Sequence, residues 1–269
     1  MASTYNPWKL YDEMIAGVPE DIAIKDYALG TAWSYLEAEC GMGVAYTARQ
    51  GATRTVTDDL RKLSLRKVAE LSKSWCFEEA TLGIAALNAW YSNPERIAAA
   101  GMEAVYEAPN PNELPEGEGG RLGMKMDAFG LYKPVIEAQG DANVVVVGHF
   151  PRVTEIAEYA NLTVLERACR DEWDTPDPAC EYVMPQADYT FITGVTLINK
   201  TAPRLLQLAR DAHTIMVGPS VVLAPNLFEY GVECLAGSVC EDPELARFAS
   251  KNGVGRLFGH ALKMMYVSR

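Results

Sequence analysis

The chain has 269 residues, 49% of them apolar and 22% charged, which suffices for one large core or two smaller ones. Its formal net charge of −12, with no Lys/Arg cluster set against it, repels phosphate backbones and argues against a nucleic-acid partner. No apolar run approaches the roughly 18 residues of a membrane span, and the opening Met1-Ala2-Ser3-Thr4 is neither basic nor apolar, so a cytoplasmic protein without a membrane partner is expected.

The first third reads helix, strands, helices. Pro7 to Ile15 can start a short helix at a proline. Ile22–Leu29, Ala32–Glu39 and Val44–Ala48 are rich in β-branched and aromatic residues and are separated by Gly30, Gly41 and Gly43, the pattern of a small antiparallel meander. From Leu65 the apolar spacing changes to three and four. Val68 with Leu71, then Leu82, Ala85, Ala86, Ala89 and Trp90, predict amphipathic helices facing a core, and Pro94 starts a further short one to Ala100.

Residues 109–120, Pro-Asn-Pro-Asn-Glu-Leu-Pro-Glu-Gly-Glu-Gly-Gly, combine missing amide donors, backbone entropy and like charges, and read as an exposed linker. They divide the chain into domains at 1–108 and 121–269. In the second, Met126–Ala138 reads as a helix interrupted or bounded near Pro134. Asn143–Val147 carries four consecutive valines, which suit a parallel strand covered on both faces. Arg152–Ala160 reads as a helix, Asn161–Arg167 as a strand, Tyr189–Gly194 as another, Ala202–Ala212 as a helix and Thr214–Gly218 as a strand. Strand alternating with helix at this spacing gives a parallel sheet. Val232–Cys240 is a weaker unit, Asp242-Pro243-Glu244 starts a helix, and Leu262–Val267 fits either a closing strand or a helix tail.

Parallel strands place their carboxyl ends along one edge, where ligands of open α/β sheets bind. Gly148, Thr193-Gly194 and Gly218-Pro219-Ser220 end three of the predicted strands there, with Thr196, Asn199 and Thr201 in the following loop. Thr201 is equally readable as a helix cap alone. The first turn, Gly148-His149-Phe150-Pro151, lacks the G-x-G-x-x-G that lets a backbone approach a pyrophosphate, which disfavours ordinary NAD binding. Glu166 stands about 20 residues on, where such folds place a ribose-binding acid; a solvated strand-end glutamate is the plain alternative. His149 could ligate a metal through neutral imidazole, whereas His213 and His260 have less claim. There is no H-E-x-x-H, G-x-S-x-G or P-loop. Six cysteines, at 40, 76, 169, 180, 234 and 240, include no C-x-x-C pair and read as reduced thiols. Cys234, Cys240, His149 and Glu166 could share a metal only if the fold brought them together.

Val147-Gly148-His149-Phe150-Pro151, Leu165-Glu166-Arg167, Ile192-Thr193-Gly194 with Asn199 and Thr201, and Gly218-Pro219-Ser220 together resemble the C-terminal Rossmann-like domain of the putative heavy-metal chelation family. Gly43-Val44-Ala45-Tyr46-Thr47 and Ile84-Ala85-Ala86-Leu87-Asn88-Ala89 resemble its companion domain, which has an enolase N-terminal-like α+β fold. The resemblance implies an α/β protein of two domains with its site in the cleft between them. It makes Asn88 and Thr47 candidates for the N-terminal wall, with a buried amide bonding local backbone as the alternative for Asn88. A soft-metal site should gather thiolate or imidazole, and these residues are mostly hydroxyl, amide and glycine. The expectation is therefore a small anionic or metal-chelating ligand, with a divalent or heavy metal ion as the cofactor the family admits. The alternative is a Rossmann-type enzyme acting on a nucleoside- or pterin-like molecule, with Glu166 as its acid. Oligomeric state is left open, a homo-oligomer included.

Overall fold

A computed structural model describes residues 5–106, 128–151, 153–253 and 257–269. Helix α1 (Lys9–Ala16) precedes three strands, β1 (Ile24–Ala28), β2 (Trp33–Ala38) and β3 (Gly41–Tyr46), which pair in chain order as the antiparallel meander expected. Helices α2 (Leu65–Ala69), α3 (Phe77–Tyr91) and α4 (Pro94–Ala99) follow. The last is capped by Asn93, whose carboxamide oxygen accepts the Glu95 and Arg96 amides. The amphipathic stripe expected on α3 is not what the structure shows. Every residue from Glu79 to Ala89 is buried, because the small sheet covers the helix on one side and α2, the turn at 70–73 and residues 195–198 cover the others.

The larger sheet contains β4 (Glu103–Tyr106), β5 (Asn143–Val147), β6 (Asn161–Glu166), β7 (Asp174–Pro176), β8 (Tyr189–Thr193), β9 (His213–Val217), β10 (Val232–Cys240) and β11 (Leu262–Ser268). Its order is β4-β11-β10-β9-β8-β5-β6-β7. The run from β10 to β7 is parallel, and β11 and β4 add an antiparallel edge. The parallel part has the strand order of doubly wound sheets, in which the direction of winding reverses between β5 and β8. The fold is thus α/β, with a small antiparallel sheet and a larger, mostly parallel one.

The four valines explain their own strand. Val144 and Val146 are buried in the cluster beneath α5 (Ala128–Gln139), while Val145 and Val147 belong to the cluster shared with α1 and α3. Period-two alternation with both faces covered leaves no polar position. Helix α5 runs through Pro134, on its exposed face, and is not bounded by it. The expected helix at 152–160 is instead a short 3-10 stretch, Val153–Glu158. Its buried residues, Val153 and Ile156, are three apart, the spacing that a three-residue turn aligns.

The remaining helices are short except the last: α6 (Cys180–Val183), α7 (Val195–Ile198), α8 (Ala202–Leu208) and α9 (Pro243–Asn252). Helix α8 stops four residues before the expected Ala212. Helix α9 starts as read, with Asp242 accepting the Leu245 amide, and Leu262–Ser268 is a strand rather than a helix tail. Two strands were not legible in advance. β7 is three residues with a proline at the sheet edge, and β4 precedes the linker in sequence yet pairs with β11. The linker, 109–120, lies outside the described residues.

The two sheets are joined by packing and by hydrogen bonds. Helix α9 packs on the small sheet through Ala246 and Ala249 against Tyr35 and Val44, and Lys251 Nζ lies 2.9 Å from Asp26. The Tyr11 hydroxyl donates to the Leu197 carbonyl oxygen at 2.8 Å, and that of Tyr230 to Glu13 at 2.8 Å. Among the described residues no helix is long and apolar enough to cross a membrane.

Candidate functional site

The carboxyl ends of β5, β8 and β9 open into one cavity of about 930 Å³, at the point where the winding reverses. Gly148 and Gly218 terminate β5 and β9 with φ of +98° and +105°, a backbone conformation that side chains resist. Their amides stay within the sheet, donating to Leu165 and Ala236 carbonyls at 2.9 Å. Gly194 is a different case. A Cβ there would stand 2.3 Å from the Val221 nitrogen, so its glycine is demanded by packing.

Of the expected site residues, Gly148, His149, Phe150, Pro151, Glu166, Thr193, Thr196, Asn199, Thr201, Gly218, Pro219 and Ser220 line this cavity. Gly194, Asn88 and Thr47 are absent from its lining, each being buried. Asn88 bridges the small and large sheets instead, its carboxamide donating to Val44 O at 2.9 Å and Pro219 O at 3.2 Å. Thr47 pairs with Ser34, hydroxyl to hydroxyl, at 2.8 Å.

Several lining side chains are likewise engaged. Ser220 Oγ accepts the Tyr46 amide at 2.8 Å, and the Thr196 hydroxyl donates to the Thr193 carbonyl at 2.6 Å. The cap expected of Thr201 is not made. The residue sits in helical conformation without a side-chain cap, and its hydroxyl donates to Asn199 Oδ1 at 2.6 Å. A capping residue needs an extended backbone to turn its oxygen toward the helix amides, and helical φ/ψ denies that. Glu166 Oε1 accepts the Arg167 amide at 2.8 Å and, at 3.4 Å, that of Ala168.

The cavity also has a lining that the sequence did not single out. Trp33 and Tyr46 of the small sheet line it together with Phe258; Trp33 meets Tyr46 edge-on at 5.6 Å and Phe258 at 5.0 Å. Phe129 packs against Phe150 at 5.4 Å on the large-sheet side. Cations are concentrated here within an acidic chain: Arg167, Arg170, Lys200 and Arg204, against Glu166 and Asp177. Arg167 is paired with Asp177 at 2.7 Å and Arg204 with Glu181. Burial pulls the Lys200 amine down to about 7. Aromatic alternation on β2 and the Arg167 that closes the Leu-Glu-Arg motif were the available signals; nothing local announced Lys200.

The donor set was tested against a thiophilic metal. Burial pushes Cys234 up to about 11 and Cys240 up to about 12, and it raises Cys40 and Cys180 too, so these four are thiols unless a metal displaces the proton. The grouping of Cys234, Cys240, His149 and Glu166 does not form. The cluster of ligand type found among the described residues is His149, Asp171 and Asp174, with donor atoms within 4.8 Å of one another. One imidazole and two carboxylates suit a borderline or hard divalent ion. Asp174 is already engaged, accepting the Arg170 and Asp171 amides and facing His149 Nδ1 at 3.2 Å; those bonds hold its carboxyl below the usual range. The described residues therefore do not fit direct ligation of a soft heavy metal.

Two family models match, both described as "Putative heavy-metal chelation": DUF364 over residues 132–267 and DUF4213 over residues 11–91. An uncharacterized protein of Methanocaldococcus jannaschii is 27% identical over 248 residues, covering 87% of this chain and 86% of its own. A crystal structure of a DUF364 protein of unknown function from Desulfitobacterium hafniense is 31% identical, covers 96% of this chain and 97% of its own, and superposes with a TM-score of 0.79. One from Pyrococcus horikoshii, 21% identical over 97% of this chain and 98% of its own, has the same fold at a TM-score of 0.73. A family model running from α5 to the last strand, together with the whole-length likeness to the Desulfitobacterium protein, establishes that the chain belongs to the DUF364 family.

Proposed function

We propose that the protein holds a small, anionic or metal-chelating organic molecule in the cavity between its two sheets, and that any role in heavy-metal chelation runs through that molecule. The observation that carries the reading is the composition of the walls: aromatic rings on both sides, cations gathered at the strand ends, and no assembled thiolates among the described residues. Rings bind the planar body of a ligand and cations its acid groups. In this reading the small sheet roofs the strand ends of the large one, and the glycines of β5 and β9 let a ligand approach the backbone.

Native mass spectrometry of the protein as purified tests it directly, because a retained mass identifies the ligand class. Thermal-shift screens with Zn²⁺, Ni²⁺ and Cd²⁺, alone and with aromatic hydroxy acids, divide the possibilities further. Stabilisation by metal only when chelator is present supports the proposal; stabilisation by free Cd²⁺ alone would place the metal on the protein and sink it.

A second reading is favoured by the aromatic pairs at a doubly wound switch point: an enzyme acting on a nucleoside- or pterin-like molecule, with Glu166 binding its hydroxyls or moving a proton. Glu166→Gln should then abolish turnover or ligand affinity while the fold survives. Wild-type behaviour in that variant removes this reading and leaves the first intact.

A further inference from the structure

We propose that Lys200 is the residue that receives the acid group of the cavity's ligand, a carboxylate or phosphate carried on a planar body. This rests on the cavity being a ligand site. Lys200 lines it from the loop between α7 and α8.

The argument starts from partners. Arg167 and Arg204 are matched to Asp177 and Glu181, and Arg170 is exposed, where water satisfies it. Lys200 has neither advantage. It is half-buried, its Nζ donates to the Ile198 carbonyl at 2.7 Å, and the Phe77 ring lies 5.7 Å away. Among the described residues no carboxylate stands within ion-pair distance of it. The first turn of α3 carries two acids, but Glu78 lies beside Arg49 at 3.6 Å, and Glu79 accepts from Ser74, Thr55 and Val56. Cys76 is the one titratable group whose charge bears on Lys200, and it acts weakly against the effect of burial. Lys200 is the left-handed residue that ends α7, with φ of +67°, a position where asparagine or glycine would sit more easily. A half-buried lysine that lines a cavity with no carboxylate beside it among the described residues is an incomplete ion pair that an incoming acid would complete.

The sign of the pH dependence follows. Without ligand, burial holds the amine near 7, so above that value it is largely neutral. An anion placed beside it restores the charged form. Affinity for the anion should therefore be full below about pH 7 and weaken above it, approaching tenfold per pH unit for the one proton taken up.

The test uses the full chain. Competitive labelling of all lysines with trace acetic anhydride between pH 6 and 10, read by peptide mass spectrometry, should give Lys200 a midpoint near 7, well below the ordinary range of a lysine amine. Benzoate and inorganic phosphate should then protect Lys200 and raise its midpoint, benzyl alcohol should not, and a response to benzoate alone would identify a carboxylate on a ring. A midpoint shared with the surface lysines, or one that neither anion moves, overturns the proposal. Lys200→Arg should bind benzoate independently of pH, and Lys200→Asn, which suits the left-handed turn, should lose at least tenfold in affinity. If a mass retained on the wild-type protein stays on Lys200→Asn with unchanged affinity, Lys200 is excluded while the cavity reading stands. If no ligand or probe binds the wild-type protein at all, it is the cavity reading that fails.

Discussion

Along the strand ends, hydroxyl and amide side chains turn inward on the protein's own backbone; across the cavity, the rings pack on one another instead. Ser220 accepts Tyr46, Thr196 donates to Thr193, Asn199 takes both donors of Thr201, and Asn88 ties Val44 to Pro219. The opposite lining, Trp33, Tyr46 and Phe258, packs its rings edge-to-face on one another. Polar side chains at a sheet edge are therefore not automatically ligand contacts. Buried backbone groups there must be satisfied first, and short side chains are the nearest donors and acceptors.

Substitutions separate the two kinds of group. Gly194→Ala should be the most severe, since its methyl would meet backbone at 2.3 Å; we expect a loss of about 3 kcal/mol or failure to fold, read by chemical denaturation. Asn88→Ala strands two buried carbonyls and should cost about 2 kcal/mol while leaving ligand affinity per folded molecule unchanged. An affinity loss without a stability loss would return Asn88 to the ligand wall. Gly218→Ala strains the backbone by about 1–2 kcal/mol but has open space, its nearest atom being Phe150 Cε1 at 3.8 Å. Ser220→Ala, which removes one acceptor from the Tyr46 amide, should cost about 1 kcal/mol. The smallest effect on stability belongs to Phe258→Ser, at a residue 45% exposed: within about 0.5 kcal/mol. On binding it should act the other way, cutting affinity for a planar ligand about tenfold, or roughly 1.4 kcal/mol. Equal loss of stability and affinity at Phe258 would erase the distinction between the walls.

Much of the scaffold was legible. The valine run of β5, the glycines between the small strands, and the Asp242-Pro243 start of α9 each express a local rule that the tertiary structure keeps. The misreadings have physical causes. Helix α3 read as amphipathic because alanines do not reveal whether a face is wet, and the small sheet together with neighbouring helices covers it all round. The 152–160 segment read as an α-helix because the three-residue spacing of its apolar residues, Val153 and Ile156, fits an α-helix and a 3-10 turn alike. β4 and β7 are short and half-polar, so only pairing makes them strands.

The sequence by itself determined four strands of the parallel sheet, β5, β6, β8 and β9, and that glycine ends of three of them share an edge, because two-sided burial and tight turns are written in side-chain period and in missing Cβ atoms. Only the tertiary structure decided what those ends face. Which hydroxyls are already occupied, which rings cross from the small sheet, and that Lys200 meets no carboxylate among the described residues all depend on groups distant in the chain meeting at short range. No spacing in the sequence encodes that encounter, since it follows from how two sheets dock over one core.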